Sequence, residues 1–220
     1  IDIDMIFAVI KKADWLWLLA AFLIYTISKF IGSRRLNIYF KNIGIRLPEW
    51  ENVKLYWLGM FYNLFLPGSI TGDAYKVVLL SRRYGVPYKK TTIAVFLDRF
   101  SGLLSLGLII GIYSSFILKE RSYIILLIAG AILAIPLLYF ITKKLFPEFL
   151  PGFWPTFLLG TIVQTTILLC VYCILNALGI TSAINSYVFV FLIAIVASVL
   201  PISVGGGLGV REFVIIEGAR

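Results

Sequence analysis

Apolar residues fall into runs along this chain rather than alternating, and the runs have helix lengths. Trp15 to Ile31 is the first, with Lys29 near its end where an ammonium could snorkel to an interface. Thr91 to Leu118, Tyr123 to Thr142 and Thr156 to Leu178 are three more, each near the roughly 20 residues needed to cross a bilayer. Two other regions have a different shape. Val53 to Leu66 is too short to cross, stops at Pro67-Gly68, and is followed by a second short run, Ala74 to Leu80. Val188 to Leu200 ends in Pro201 and a glycine cluster, with Val210 to Ile216 after it. The pattern predicts full helices interrupted by two broken ones.

Composition fixes the solvent. With 60% hydrophobic against 14% charged residues in 220, and a mean hydropathy of +0.97, the chain is too apolar for a water-soluble domain. The expected fold class is an all-α polytopic membrane protein, one integral membrane domain over 1–220, with re-entrant elements at 53–80 and 188–217. Both ends look trimmed, and no cleavable signal peptide is visible.

The balance of 20 Lys plus Arg against 11 Asp plus Glu gives +9, but the cations sit mainly between apolar runs. That placement sets topology and meets anionic headgroups; it does not suggest nucleic acid. If 53–80 enters and returns to one face, three basic loops share that face. They carry Arg34, Arg35, Lys41, Arg46 and Lys54; Arg82, Arg83, Lys89 and Lys90; and Lys143 and Lys144. The other face keeps Lys11, Lys12, Lys119 and Arg121. The positive-inside rule therefore favours a hairpin and a cytoplasmic loop over 32–54. Trp15, Trp17, Trp50, Trp57 and Trp154 read most simply as an interface belt. Residues 1–14 read as an interfacial lead-in.

The two broken regions resemble each other. Leu66-Pro67 and Gly72 recur at one spacing as Leu200-Pro201 and Gly206, and Lys76 and Arg211 follow. Three full crossings between them would make the second enter from the opposite face, the pattern of an inverted repeat. A helix broken in hydrocarbon is tolerated only where protein or a water-lined cavity satisfies its backbone. Glycine permits close approach of a ligand, and a helix beginning after each break would offer N–H groups and a positive dipole end to a phosphate. Asp98 and Arg99 lie on the order of 10 Å inside the run from Thr91, where charge is costly. They serve a ligand, or a structural network with Asp73 or Glu212. Asp73 and Glu212 could also simply cap helices, and Asn63 could hold either the broken backbone or a ligand. No cofactor or metal site is expected: the chain has no His, and Cys170 and Cys173 would share a buried helix face as packing residues.

Asn63, Leu66-Pro67-Gly68, Gly72-Asp73, Lys76, Asp98-Arg99 and Pro201 through Gly205-Gly206-Gly207-Leu208-Gly209-Val210-Arg211-Glu212 together resemble the transmembrane, flippase-like family of lysylphosphatidylglycerol synthases. Relatives often have Arg in place of Lys76 and Glu-Arg in place of Asp98-Arg99. Pattern and order run over roughly 15 to 217. The resemblance implies a multi-pass protein of the plasma membrane of a bacterium or archaeon that moves a lipid headgroup between leaflets. It implies substrate-binding roles for Asn63, Pro67, Gly68, Gly72, Asp73, Lys76, Asp98, Arg99, Gly205, Gly206, Gly207, Gly209, Arg211 and Glu212. It further implies that aminoacyl transfer belongs to a separate soluble domain absent here, and that C-terminal helices of the family are truncated.

The leading expectation is a non-enzymatic carrier of an anionic phospholipid or a polyprenyl-phosphate lipid. A membrane-embedded polyprenyl-diphosphate phosphatase is the alternative, since LPIS (200–203) resembles such motifs superficially. Ser69 and Ser203 are its candidate nucleophiles, but no His exists and no acid precedes either Leu-Pro element. A third alternative is a noncatalytic scaffold for a glycosyltransferase. A homo-oligomer and a lipid-modifying enzyme partner both stay open. No Walker motif is present for ATP hydrolysis, and proton coupling through Asp73 or Asp98 has no support from spacing.

Overall fold

A computed structural model describes residues 11–66, 70–199 and 210–218, and every regular element among them is helical. The elements are α1 (Trp15–Asn42), α2 (Glu49–Phe65), α3 (Thr71–Tyr84), α4 (Tyr88–Ser114), α5 (Arg121–Leu145), a 3-10 turn (Pro147–Gly152), α6 (Phe153–Ala177), α7 (Ile184–Val199) and α8 (Val210–Gly218). Four of them, α1, α4, α5 and α6 with its 3-10 lead-in, are long and apolar enough to cross a membrane.

Local sequence explains most boundaries. Asp14 caps α1 by accepting from the Leu16 N–H at 2.9 Å. Pro48 and Pro87 precede α2 and α4. Gly85, at φ +65, ends α3 in the left-handed conformation that favours glycine.

Three helices pair along their length. Asp14 N–H reaches the Ala177 carbonyl, Cys170 Sγ donates to the Ala21 carbonyl, and Tyr39 bonds Thr156, so α1 and α6 run antiparallel. The two cysteines are free and buried at this contact, as packing residues. α4 runs parallel to α6, through Gln164 Nε2 donating to the Gly102 carbonyl and a Tyr113–Tyr172 contact farther along. α5 lies outside, with Thr142 its one buried side chain.

α2 and α3 form an antiparallel hairpin. Its open end is marked by Arg83–Glu51 at 2.8 Å, its closed end by the Gly72 N–H on Asn63 Oδ1 at 2.8 Å. The two helices touch backbone to backbone at Gly59 and Gly72, where an added Cβ on Gly72 would overlap Gly59. Lys41–Glu49 and Asn42 on the Phe149 carbonyl gather the 43–48, 85–87 and 146–152 connections at one end of the bundle.

The bundle is apolar outside and polar within. Trp15, Leu16, Phe22, Leu126, Leu133 and Phe140 are all more than half exposed, whereas Arg35, Asn37, Asn52, Lys76, Asp98 and Gln164 are buried. Water would drive the opposite arrangement, so the surrounding medium is hydrocarbon. Trp15, Trp50 and Trp154, each near the start of a helix, are exposed on that outer surface.

Two expectations are corrected. α1 does not stop at Ile31 but continues to Asn42, so Arg34 and Arg35 are helical and the loop contracts to 43–48. The polar side chains of this extension face protein: Ser33, Arg35 and Asn37 are buried, and Asn52 Nδ2 donates to the Ser33 carbonyl at 2.6 Å. Lys29 consequently lies mid-helix, about 20 Å from either end of α1, too far to snorkel. It stacks on the Tyr25 ring at 4.3 Å instead.

Candidate functional site

Side chains from six helices line a polar cavity of about 220 Å³. Arg35 and Leu36 come from α1; Tyr56, Met60 and Asn63 from α2; Asp73 and Lys76 from α3. Val95, Asp98, Arg99 and Gly102 come from α4, Gln164 from α6 and Ile195 from α7. Arg35 is about 10 Å along α1 from Asn42, and Asp98 about 15 Å along α4 from Tyr88, so the cavity lies inside the bundle, nearer the end that carries the basic connections.

Its charges form two groups. Arg35 and Asp98 meet side-on, Nε to Oδ1 at 2.7 Å and Nη2 to Oδ2 at 3.1 Å, with side chains 8% and 11% exposed. Asp73 joins the other two cations: Oδ1 accepts from Lys76 Nζ at 3.0 Å and Oδ2 from Arg99 Nε at 2.5 Å. Among the described lining residues three cations face two carboxylates, one positive charge in excess.

Glycines make room for these long side chains. The Lys76 stem runs directly over Gly59, where a Cβ would overlap Cε, and its ammonium stands 5.0 Å from the centre of the Tyr56 ring. A Cβ on Gly102 would stand 3.0 Å from Arg35 Nη1. Arg35 Nη1 and Gln164 Oε1 are both buried and find no hydrogen-bond partner among the described residues. Such groups are costly to leave unmade, and both belong to cavity-lining side chains.

Of the residues singled out in the sequence, Asn63, Asp73, Lys76, Asp98 and Arg99 line this one cavity. Asn63 holds the Gly72 N–H, so it braces the backbone as well. Asp73 does not cap α3; its carboxylate is occupied by Lys76 and Arg99. The N–H groups of Gly72, Asp73 and Ala74 are not free for a phosphate, because they bond Asn63 and the Ile70 carbonyl. Of the expected network with Asp73 or Glu212, Arg99 does pair with Asp73, whereas Asp98 pairs with Arg35. Glu212 is half-buried in the first turn of α8, which packs on α7. Pro67, Gly68, Gly205, Gly206, Gly207 and Gly209 lie outside the described residues, as do Ser69, Ser203 and the side chain of Arg211.

Sequence reasoning missed Arg35 and Gln164. Arg35 was hidden in a basic run that resembled a loop; a helical reading extended past Gly32 would have set it on the same helix as Trp15. Gln164 is a single amide in an apolar run, and that polarity inside a predicted crossing was its signal.

Comparison with known proteins agrees with the geometry. A UPF0104 membrane protein of Archaeoglobus fulgidus is 28% identical over 96 residues, which are 44% of this chain and 29% of the relative. The match therefore covers well under half the length of that relative. No solved structure matches. Residues 1–149 match the family described as the lysylphosphatidylglycerol synthase TM region, a stretch that contains both ion-pair groups and ends before Gln164 and α7. The chain is thus a multi-pass membrane protein that belongs to the lysylphosphatidylglycerol synthase transmembrane-region family.

Proposed function

We propose that this protein binds the phosphate-bearing headgroup of an anionic phospholipid or polyprenyl-phosphate lipid in the polar cavity and passes it between leaflets of the cell membrane. The observation that carries this proposal is the excess of positive over negative side chains among the described residues that line the polar cavity, beside an Arg35 Nη1 that finds no hydrogen-bond partner among the described residues. A phosphate supplies both the missing negative charge and acceptor oxygens for that N–H. Membership of a lipid-associated family and an outer surface suited to hydrocarbon support the same substrate class.

In this scheme the α2–α3 hairpin is re-entrant. At about 25 Å and 21 Å its helices fall short of a 30 Å hydrocarbon core, and its open end lies with the basic connections. The second broken region, 188–217, would enter from the opposite face, as an inverted repeat requires. The headgroup leaves chemically unchanged, so the protein acts as a carrier and not as an enzyme. Incubated with a polyprenyl diphosphate, it should release no phosphate.

The test is mass spectrometry of co-purifying lipids. Wild type is compared with the combined Asp73→Asn/Lys76→Gln/Arg99→Gln variant, which removes the excess positive charge without stranding a carboxylate. Enrichment of one phosphate lipid in wild type, lost in a variant that melts normally, is the expected result. Identical lipids in both would return these charges to a purely structural role.

A further inference from the structure

The polar cavity has an apolar annex. Between α3 and α4 runs a second cavity of about 300 Å³, lined by Ile70, Val77, Val78, Thr92 and Phe96, and it shares Asp73, Val95 and Arg99 with the first. The Asp73–Arg99 pair stands at the junction, facing charge on one side and hydrocarbon on the other. Arg99 is the most exposed cation of the polar cluster, its side chain 25% exposed against 5% for Lys76. The annex opens sideways: Ile70, Val78 and Phe96 are 52%, 41% and 57% exposed on the outer surface of the bundle.

We infer that this α3–α4 groove holds the hydrocarbon chain of the lipid whose phosphate occupies the polar cavity. The groove is then the lateral entrance through which that lipid arrives. This rests on the phosphate-lipid function proposed above and assigns it a second subsite. The occupant follows from continuity and charge. A phosphate drawn to the cation excess has its ester oxygen at Arg99, and a chain leaving that oxygen meets apolar side chains on α3 and α4. A water-soluble phosphate would have no use for the annex. In a bilayer the chain gains little from leaving other lipid tails, so the groove acts through packing and alignment and its contribution to affinity is modest.

Binding to the full chain in nonionic detergent tests this, with glycerol 3-phosphate as the headgroup probe and 1-acyl glycerol phosphates from octanoyl to octadecanoyl as the chain series. Wild type should bind more tightly as the chain lengthens. Val78→Trp, which fills the groove from an exposed position, should weaken octadecanoyl binding roughly fivefold and leave glycerol 3-phosphate binding unchanged. Val78→Phe, a smaller insertion, should fall between them. A diazirine on the acyl chain should label Val77, Val78 or Phe96 of wild type, a readout that needs no variant. An unaltered chain-length series in both variants, or labelling confined to other helices, overturns the groove while phosphate binding stands. If wild type binds neither probe class, the phosphate-lipid function fails and the groove with it.

Discussion

Arg35 and Asp98, sixty-three positions apart in the chain, meet through two parallel hydrogen bonds inside the bundle, while Arg35 Nη1, packed beside Gly102 and Gly160, finds no partner among the described residues. This fixes α1 against α4 near the start of the site. Removing one partner leaves an uncompensated buried charge, so Arg35→Met or Asp98→Leu alone should destabilise by about 3 to 5 kcal/mol. The Arg35→Met/Asp98→Leu double variant should recover most of that loss, because the pair pays for its own desolvation poorly. Unfolding in detergent measures all three. A double variant that folds normally but no longer enriches phosphate lipid would separate the binding role of Arg35 from its structural one.

The hairpin crossing makes a sharper prediction. Gly72→Ala places a methyl group against the Gly59 backbone, which cannot move aside as a flexible side chain can. Overpacking of this kind should cost about 1 to 3 kcal/mol and widen the hairpin. Gly107→Ala on α4 is the control: nothing stands within 4 Å of the added methyl, so helix propensity alone should stabilise by about 0.5 to 1 kcal/mol. Paired melting curves should therefore shift in opposite directions.

The contrast between those glycines shows what the sequence could reveal. Apolar runs located α4, α5 and α6 to within a few residues, because a helix crossing hydrocarbon must be apolar wherever it faces lipid. The same criterion ended α1 too early. Beyond Ile31 its partners change from lipid to protein, and buried Ser33, Arg35 and Asn37 satisfy one another's neighbours instead of avoiding charge. Asp73, Lys76, Asp98 and Arg99 were legible because charge in an apolar context is conspicuous. A network of Arg99 with Asp73 was one expectation from the sequence, and the two do pair; the Arg35–Asp98 pair was not foreseen, since Arg35 resembled a loop cation and the clearances over Gly59 and Gly102 depend on three-dimensional crossing points.

Lys29 is a mid-helix cation that the described ion pairs do not use. It sits at the middle of α1 over the Tyr25 ring, with no salt bridge among the described residues. A charge held there by a ring alone opposes folding in hydrocarbon, so Lys29→Met should leave the melting temperature unchanged or raise it. It lies on the same helix as Arg35, about 9 Å farther from Asn42, where under the proposed transfer it would offer the next positive charge to a headgroup leaving the cavity. Lys29→Met should accordingly slow transfer of an anionic lipid in reconstituted vesicles while its co-purification persists. Wild-type transfer rates in that variant would confine Lys29 to a packing role.

The hairpin itself can be tested from outside the membrane. If α2 and α3 enter and return to one face, exposed positions in the 43–48 connection, at the start of α4 and at the end of α5 share a side. Arg46→Cys, Lys89→Cys and Lys144→Cys should then react with an impermeant maleimide from one side, and Lys119→Cys and Thr181→Cys from the other. Native Cys170 and Cys173 are buried and should contribute a low background. The decisive comparison is Arg46→Cys with Lys89→Cys, which flank the hairpin. A straight crossing by α2 and α3 together would put them on opposite faces, and it would also divide the basic connections that the positive-inside rule groups on one. Labelling of the two from opposite sides would sink the hairpin topology, and with it the cavity that α2 and α3 help to close.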